Sequence, residues 1–172
     1  MTELYRARGN VWKVRMMMWL SLATAIAFTW WGWDLFQTYG TRPADGGVLA
    51  PLWARLAWFV FLTAFGLAFL GGMWLYGGLY VTALLVDEAA GTLEVRTIGF
   101  IGGLGGRRWT YRLSDVAGTD FKAGQFQSNT GVSVDAPWLS VRIKGRKSPL
   151  IVDVQGDFPD RERAARLLRM RK

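Results

Sequence analysis

The sequence predicts a membrane α-helical hairpin followed by a small α+β domain: two transmembrane helices, then an antiparallel sheet or barrel with a C-terminal helix. Three observations predict it. Residues 16–33, MMMWLSLATAIAFTWWGW, contain no charged side chain. Residues 56–86 are uncharged throughout. From residue 79 onward the pattern changes to short alternating apolar and polar runs separated by turn residues, which is the period of half-buried strands.

Eighteen helical residues rise about 27 Å, close to the thickness of a bilayer core. Adding Leu35 and Phe36 beyond Asp34 assigns the first span to 16–36. Trp30, Trp31 and Trp33 cluster at its far end as an aromatic belt. Indole suits the membrane interface because its ring is apolar while its N–H stays wet. A signal peptide is the competing reading, since Arg6, Arg8, Lys13 and Arg15 precede the run. The run is longer than a signal core, its far end is bulky, and no A-x-A site follows, so a span is expected.

The second uncharged run is too long for one untilted span. Gly77–Gly78 offers a break, so the second span is expected over 56–76. Its glycines at 66, 71 and 72 are candidate helix-packing positions, because small residues let a neighbouring backbone approach closely. The connector 37–55 holds only Arg42 and Arg55 as basic residues, against four in the basic arm 1–15 and fifteen after residue 86. That asymmetry places both termini in the cytoplasm and the connector outside. It also accounts for most of the net charge of +8, so nucleic acid is not an expected partner.

The cytoplasmic domain, 79–172, reads as about six strands: LYVTALLVD, TLEVRTIGF, RRWTYRL, a short strand in SDVAGTDFK, WLSVRIKG and PLIVDVQG. In the second of these, Leu93 and Val95 share one face and Glu94 and Arg96 the other. AGQFQSNTGVSVDA reads as a loop with room for a weak strand. DFPDRERAARLLRMRK reads as a helix, with Pro159 at its first position, Asp157 or Phe158 as cap, and Ala164, Leu167 and Leu168 as its apolar stripe. That order suits a small bent barrel plugged by a helix, as in pleckstrin-homology-like domains. An open sheet with a packed helix is the simpler arrangement.

The stretch GFIGGLGGRRW, 99–109, holds five glycines before two arginines. A Walker loop needs G-x-x-x-x-G-K-[ST] feeding a helix, and a dinucleotide fingerprint needs G-x-G-x-x-G. Neither spacing occurs, and the stretch lies between two expected strands. It reads as a hairpin loop that carries Phe100, Ile101 and Leu104 to the membrane or a partner, with Arg107 and Arg108 beside lipid phosphates. Arg146 and Lys147, in the basic turn before residue 150, belong to the same contact set.

The chain has no cysteine and no histidine. Disulfides, the usual structural zinc sites, thiolate-held iron–sulfur clusters, His-ligated haem and Cys- or His-dependent catalysis are thereby excluded. The thirteen acidic residues have turn, cap or strand-surface explanations, and none forms a pair set for acid–base work. Asp34 is the one acid near a span and reads as interfacial. No catalytic, cofactor-binding or metal-ligating residue is expected, and no small-molecule substrate.

The segment WLSVRIKGRKSPLIVDVQGDFPDRERAARLL, 138–168, resembles the C-terminal part of the transmembrane protein 223 family. The matching features are Val141, Lys144–Gly145, Leu150, Asp153, Gly156 and Phe158, together with the two preceding spans. The resemblance implies a mitochondrial inner-membrane protein tied to cytochrome oxidase biogenesis. Glu3 and the short arm argue against a transit peptide, so a bacterial relative in the cell inner membrane is expected. The expected function is a non-catalytic accessory or assembly subunit of a respiratory or photosynthetic membrane complex, with membrane lipid and a larger complex as partners. The alternative is a membrane-anchored module that grips anionic lipid through Arg107, Arg108, Arg146 and Lys147.

Overall fold

The computed structural model describes every residue except 42–46, 100–105, 123–124, 128–132, 136 and 170–172. The chain divides into two units. One is Met16–Leu75, and the other combines Met1–Arg15 with Tyr76–Lys172.

The first unit holds the greater part of two helices, α1, Asn10–Thr38, and α2, Leu52–Leu79, whose outer ends belong to the other unit. At 29 and 28 residues they rise about 42–44 Å, enough to cross a bilayer with its headgroup regions. Large apolar side chains point outward on most sides. Trp30 is 75% exposed, Trp53 74% and Leu75 72%. A core helix of a water-soluble protein buries such residues, and a surface helix turns polar groups outward. The chain is thus a membrane protein with two helices fit to span the bilayer. Two hydroxyls of α1 are satisfied by the preceding turn: Ser21 donates to the Met18 carbonyl at 2.7 Å and Thr29 to that of Ala25 at 2.8 Å. Lipid offers such groups no other acceptor.

The two helices approach closely at Gly66. A Cβ built there would lie 2.9 Å from the Cα of Ala25, so the contact is backbone against backbone. Gly32 plays the reciprocal part, with the Phe59 carbonyl 3.3 Å from its Cβ position. Phe28 and Phe65 pack beside this point with ring centroids 5.3 Å apart. α1 has no basic residue in its last turn. Arg55 of α2 supplies the cation instead, donating from Nη1 to the Phe36 carbonyl at 3.1 Å and lying over the Phe36 ring. A positive charge there complements the negative end of the helix dipole. The break expected at Gly77–Gly78 does not occur, since α2 continues through both to Leu79. Where no water competes for backbone groups, a glycine pair keeps its helical hydrogen bonds.

The second unit is the antiparallel α+β domain that the sequence predicts. Its strands are β1 (Thr2–Arg6), β2 (Val81–Asp87), β3 (Thr92–Thr97), β4 (Arg108–Arg112), β5 (Val116–Lys122), β6 (Gln125–Gln127), β7 (Ser133–Asp135), β8 (Trp138–Ile143) and β9 (Leu150–Asp153). One sheet has the order β1-β2-β3-β4, a second β5-β8-β9, and β6 and β7 pair alone. A bridge from Tyr80 to Ile151 joins the residue before β2 to β9, and a second, from Arg6 to Asp157, ties β1 to the segment after β9. Leu93 and Val95 are buried, as their alternation requires, with Tyr5, Val81, Leu84, Val116, Val141, Leu150 and Val152 around them.

Two elements depart from expectation. Thr2–Arg6, read from its charge as a basic arm, is an edge strand paired with β2. A register shift between Glu3 and Tyr5 lets the adjacent Leu4 and Tyr5 both be buried, which erases the alternation a strand normally displays. The C-terminal helix α3 is Arg161–Leu167, later than expected, and its cap is Asp160, which accepts from the Arg163 N–H at 2.8 Å. Pro159 lies just before it. Ala164 and Leu168 enter the core, and the Thr119 hydroxyl donates to the Leu168 carbonyl at 2.7 Å, so the end of the helix is satisfied inside the fold.

Gly66→Ala adds one methyl group against the Ala25 backbone and is expected to destabilise the hairpin by about 1–3 kcal/mol. Gly71→Ala, whose Cβ would meet nothing within 4 Å, is expected to leave the isolated protein unchanged or slightly firmer. Denaturant titration in detergent, followed by far-ultraviolet circular dichroism, separates the two.

Candidate functional site

Asp153, the last residue of β9, sits where several segments of the β-rich unit meet. Its Oδ2 accepts from the Asn10 side-chain amide at 2.5 Å and from the Tyr80 hydroxyl at 3.1 Å. Its Oδ1 accepts from the Gln155 N–H at 2.8 Å, and its own N–H donates to the Tyr5 hydroxyl at 3.2 Å. Asn10 is the first residue of α1, and Tyr80 follows the last residue of α2. One carboxylate therefore holds the residue where the chain departs into the helix pair and the residue where it returns.

The segment after Asp153 wraps β1. Gly156 lies against the Tyr5 ring so closely that a Cβ would overlap it. Phe158 packs on the other part of Tyr5, with centroids 4.8 Å apart. Arg6 and Asp157 exchange two backbone hydrogen bonds of 2.9 and 2.8 Å. Asp153, Gly156 and Phe158, three of the features behind the family resemblance, thus all serve to clasp Tyr5.

Beside Asp153 opens a cleft of about 530 Å³, lined by Lys13, Tyr76, Tyr80, Trp138, Ile151 and Gln155 among others. The phenols of Tyr5 and Tyr80 are held well above their ordinary pKa of 10.0, first by burial and next by the negative charge of Asp153. They remain protonated near neutrality and act as hydrogen-bonding groups, not bases. Among the described residues no group of three or more Asp and Glu side chains could hold a metal ion.

A second cluster carries most of the cationic residues singled out from sequence. The Arg146 guanidinium lies 4.2 Å from the centroid of Trp109, and Arg107 lies 6.0 Å from it. Arg146 also donates to the Tyr111 hydroxyl at 2.9 Å and to the Ser148 carbonyl at 3.0 Å. It is thereby a fixed side chain that ties the β8–β9 turn to β4, and much of its donor capacity is used internally. The side chains of Arg108 and Lys147 are exposed and form no ion pair with described residues. Phe100, Ile101 and Leu104 lie outside the described residues. Of the glycines singled out, Gly66 forms the close approach within the hairpin, whereas Gly71 and Gly72 have open faces. Tyr5, Asn10 and Tyr80 were not legible as site residues. No local pattern marks them as partners of Asp153.

The model of the TMEM70/TMEM186/TMEM223 protein family matches residues 12–168. The match takes in α2, α1 from its third residue, and every strand of the β-rich unit except β1. No curated protein and no solved structure matches the chain. The chain belongs to the TMEM70/TMEM186/TMEM223 protein family.

Two outcomes follow from the Asp153 cluster. Tyr80→Phe removes one donor to a partly buried carboxylate and is expected to cost about 1–3 kcal/mol at neutral pH. The second concerns alkali. An unfolded tyrosine ionises near 10.0 while the folded Tyr5 and Tyr80 keep their protons. Above that pH the unfolded chain binds fewer protons, so stability is full below pH 10 and falls as the pH rises. Unfolding titrations between pH 8 and 12 should show this fall, with a smaller slope in Tyr80→Phe.

Proposed function

We propose that this member of the family is a non-catalytic accessory or assembly subunit of a respiratory or photosynthetic membrane complex. Its helix pair would pack against larger subunits, and its β-rich unit would brace them. The observation that carries the reading is the unequal use of glycine in α2. Gly66 is consumed by packing against Ala25, while Gly71 and Gly72, one to two turns further along the helix, leave their backbone uncovered. Helices in lipid gain little from hydrophobicity against each other, and close backbone approach supplies much of their association. An uncovered glycine pair in a membrane helix therefore suits a second helix from another chain.

The polar side chains support the same reading. Asp153, Tyr5 and Tyr80 are engaged with one another, and Arg146 with Trp109 and Tyr111. Such mutual engagement is the economy of a scaffold. In this reading the protein resides in a bacterial inner membrane with both termini in the cytoplasm, as the distribution of Lys and Arg favours.

Two measurements test it. Replacing both Gly71 and Gly72 by leucine should leave membrane insertion normal but abolish recovery of the larger complex on purification in mild detergent. Undiminished recovery would reduce α2 to an anchor. For topology, the chain's lack of cysteine gives a clean background. An impermeant thiol reagent applied outside should label Ala44→Cys and spare Ser148→Cys, and the reverse pattern would invert the assignment.

A further inference from the structure

Four arginines line one pocket of about 370 Å³ in the β-rich unit: Arg15, Arg96, Arg107 and Arg108, with Gly99 and Gly106 offering only backbone to its wall. No acidic residue is among its described lining. Arg96 is answered by Glu94 at 2.7 Å, and Arg15, Arg107 and Arg108 form no ion pair with described residues. The Nε of Arg15 is buried and has no hydrogen-bond partner. A guanidinium N–H withdrawn from water without an acceptor is unfavourable, and an anion in the pocket would supply that acceptor. Arg107 is steadied by Trp109 on one side and by the Thr97 hydroxyl, which accepts from its backbone N–H at 3.3 Å.

Chain continuity ties two of the lining residues to the apolar helices. Arg15 directly precedes the uncharged run 16–33. The Ile98 N–H donates at 3.1 Å to the carbonyl of Tyr80, the residue that follows α2. Arg15 therefore borders the uncharged part of its own helix, and Ile98 is hydrogen-bonded to the residue after α2; residues that flank apolar spans are the ones that meet the polar headgroups of a bilayer.

We propose that this pocket binds the phosphate of an anionic phospholipid headgroup. Guanidinium groups match phosphate oxygens in geometry as well as charge. A zwitterionic headgroup fits less well, because its cation would meet arginines with no lining acid to receive it. The site is independent of which complex the protein serves. It also places the anion at Arg15 and Arg96, which sequence reasoning passed over, in addition to Arg107 and Arg108.

The test uses the full chain in non-ionic detergent, with native mass spectrometry to quantify bound dioctanoyl phosphatidylglycerol, dioctanoyl phosphatidylcholine and inorganic phosphate. The phosphatidylglycerol should bind preferentially. Arg15→Gln and Arg107→Gln should each weaken it at least about fivefold, the effect of one basic side chain close to an anionic lipid surface. Arg112→Gln, an exposed arginine of β4 outside the pocket, should leave it unchanged. Arg108→Gln, at an exposed position, gives the same reading should the Arg15 variant fail to fold. Equal binding of both lipids, or equal loss in Arg112→Gln, would overturn the proposal in favour of diffuse charge attraction. Binding of inorganic phosphate with no preference for phosphatidylglycerol would overturn the lipid assignment.

Discussion

The β-rich unit depends on the constraint imposed by Asp153. Its neighbours are drawn from sequence positions as distant as Tyr5, Asn10 and Tyr80, and none of them alone would fix the others. Hydrogen bonds to a charged group contribute more than neutral ones, and a buried donor left without its acceptor is penalised further. Removing the carboxylate would therefore loosen the Asn10 amide and the Tyr80 hydroxyl together, along with the Gln155 turn. The exposed ion pairs on the same unit, such as Arg163 with Glu88, are of the kind worth little beside it.

The helix unit is organised by a different rule. Lipid does not drive apolar side chains together, so the contacts that decide geometry are those where backbones touch. Gly66 on Ala25 and Gly32 on Phe59 set the approach of the two helices, and aromatic rings such as Phe28 and Phe65 fill the space beside them. Arg55 then joins the far ends through a carbonyl and a ring. The result is a pair whose remaining apolar surface is free for lipid or for other helices.

Much of this was legible in the sequence. Uncharged runs gave the helices, and alternation gave β3, β4 and β8. What escaped detection has specific causes. β1 is short and rich in charge, and a register shift puts neighbouring Leu4 and Tyr5 inside together. The cap of α3 fell on Asp160 instead of Asp157 or Phe158, because Asp157 is already bound to β1. Gly77–Gly78 looked like a break only under rules learned from helices in water. The candidate site was the least legible part. Arg107, Arg108 and Arg146 could be picked out by charge, but Asp153 resembled any strand-end acid. Its partners come from both ends of the chain, and no local pattern encodes a meeting of that kind.

The pairing of β1 with β2 has a consequence for synthesis. Thr2 lies opposite Val86, so β1 finds its partner only after both helices have been translated. At typical elongation rates of about 5–20 residues per second, that interval lasts several seconds. During it, Leu4 and Tyr5 have no sheet to enter, and the strand edge stands open. The domain cannot close around Tyr5 until the helix pair between its two parts has been delivered, and Gly156 and Phe158 must follow later still. Maturation of the β-rich unit is in this way timed by synthesis of the helix pair, and a chain interrupted within that pair would carry an unfinished sheet as the mark of its failure.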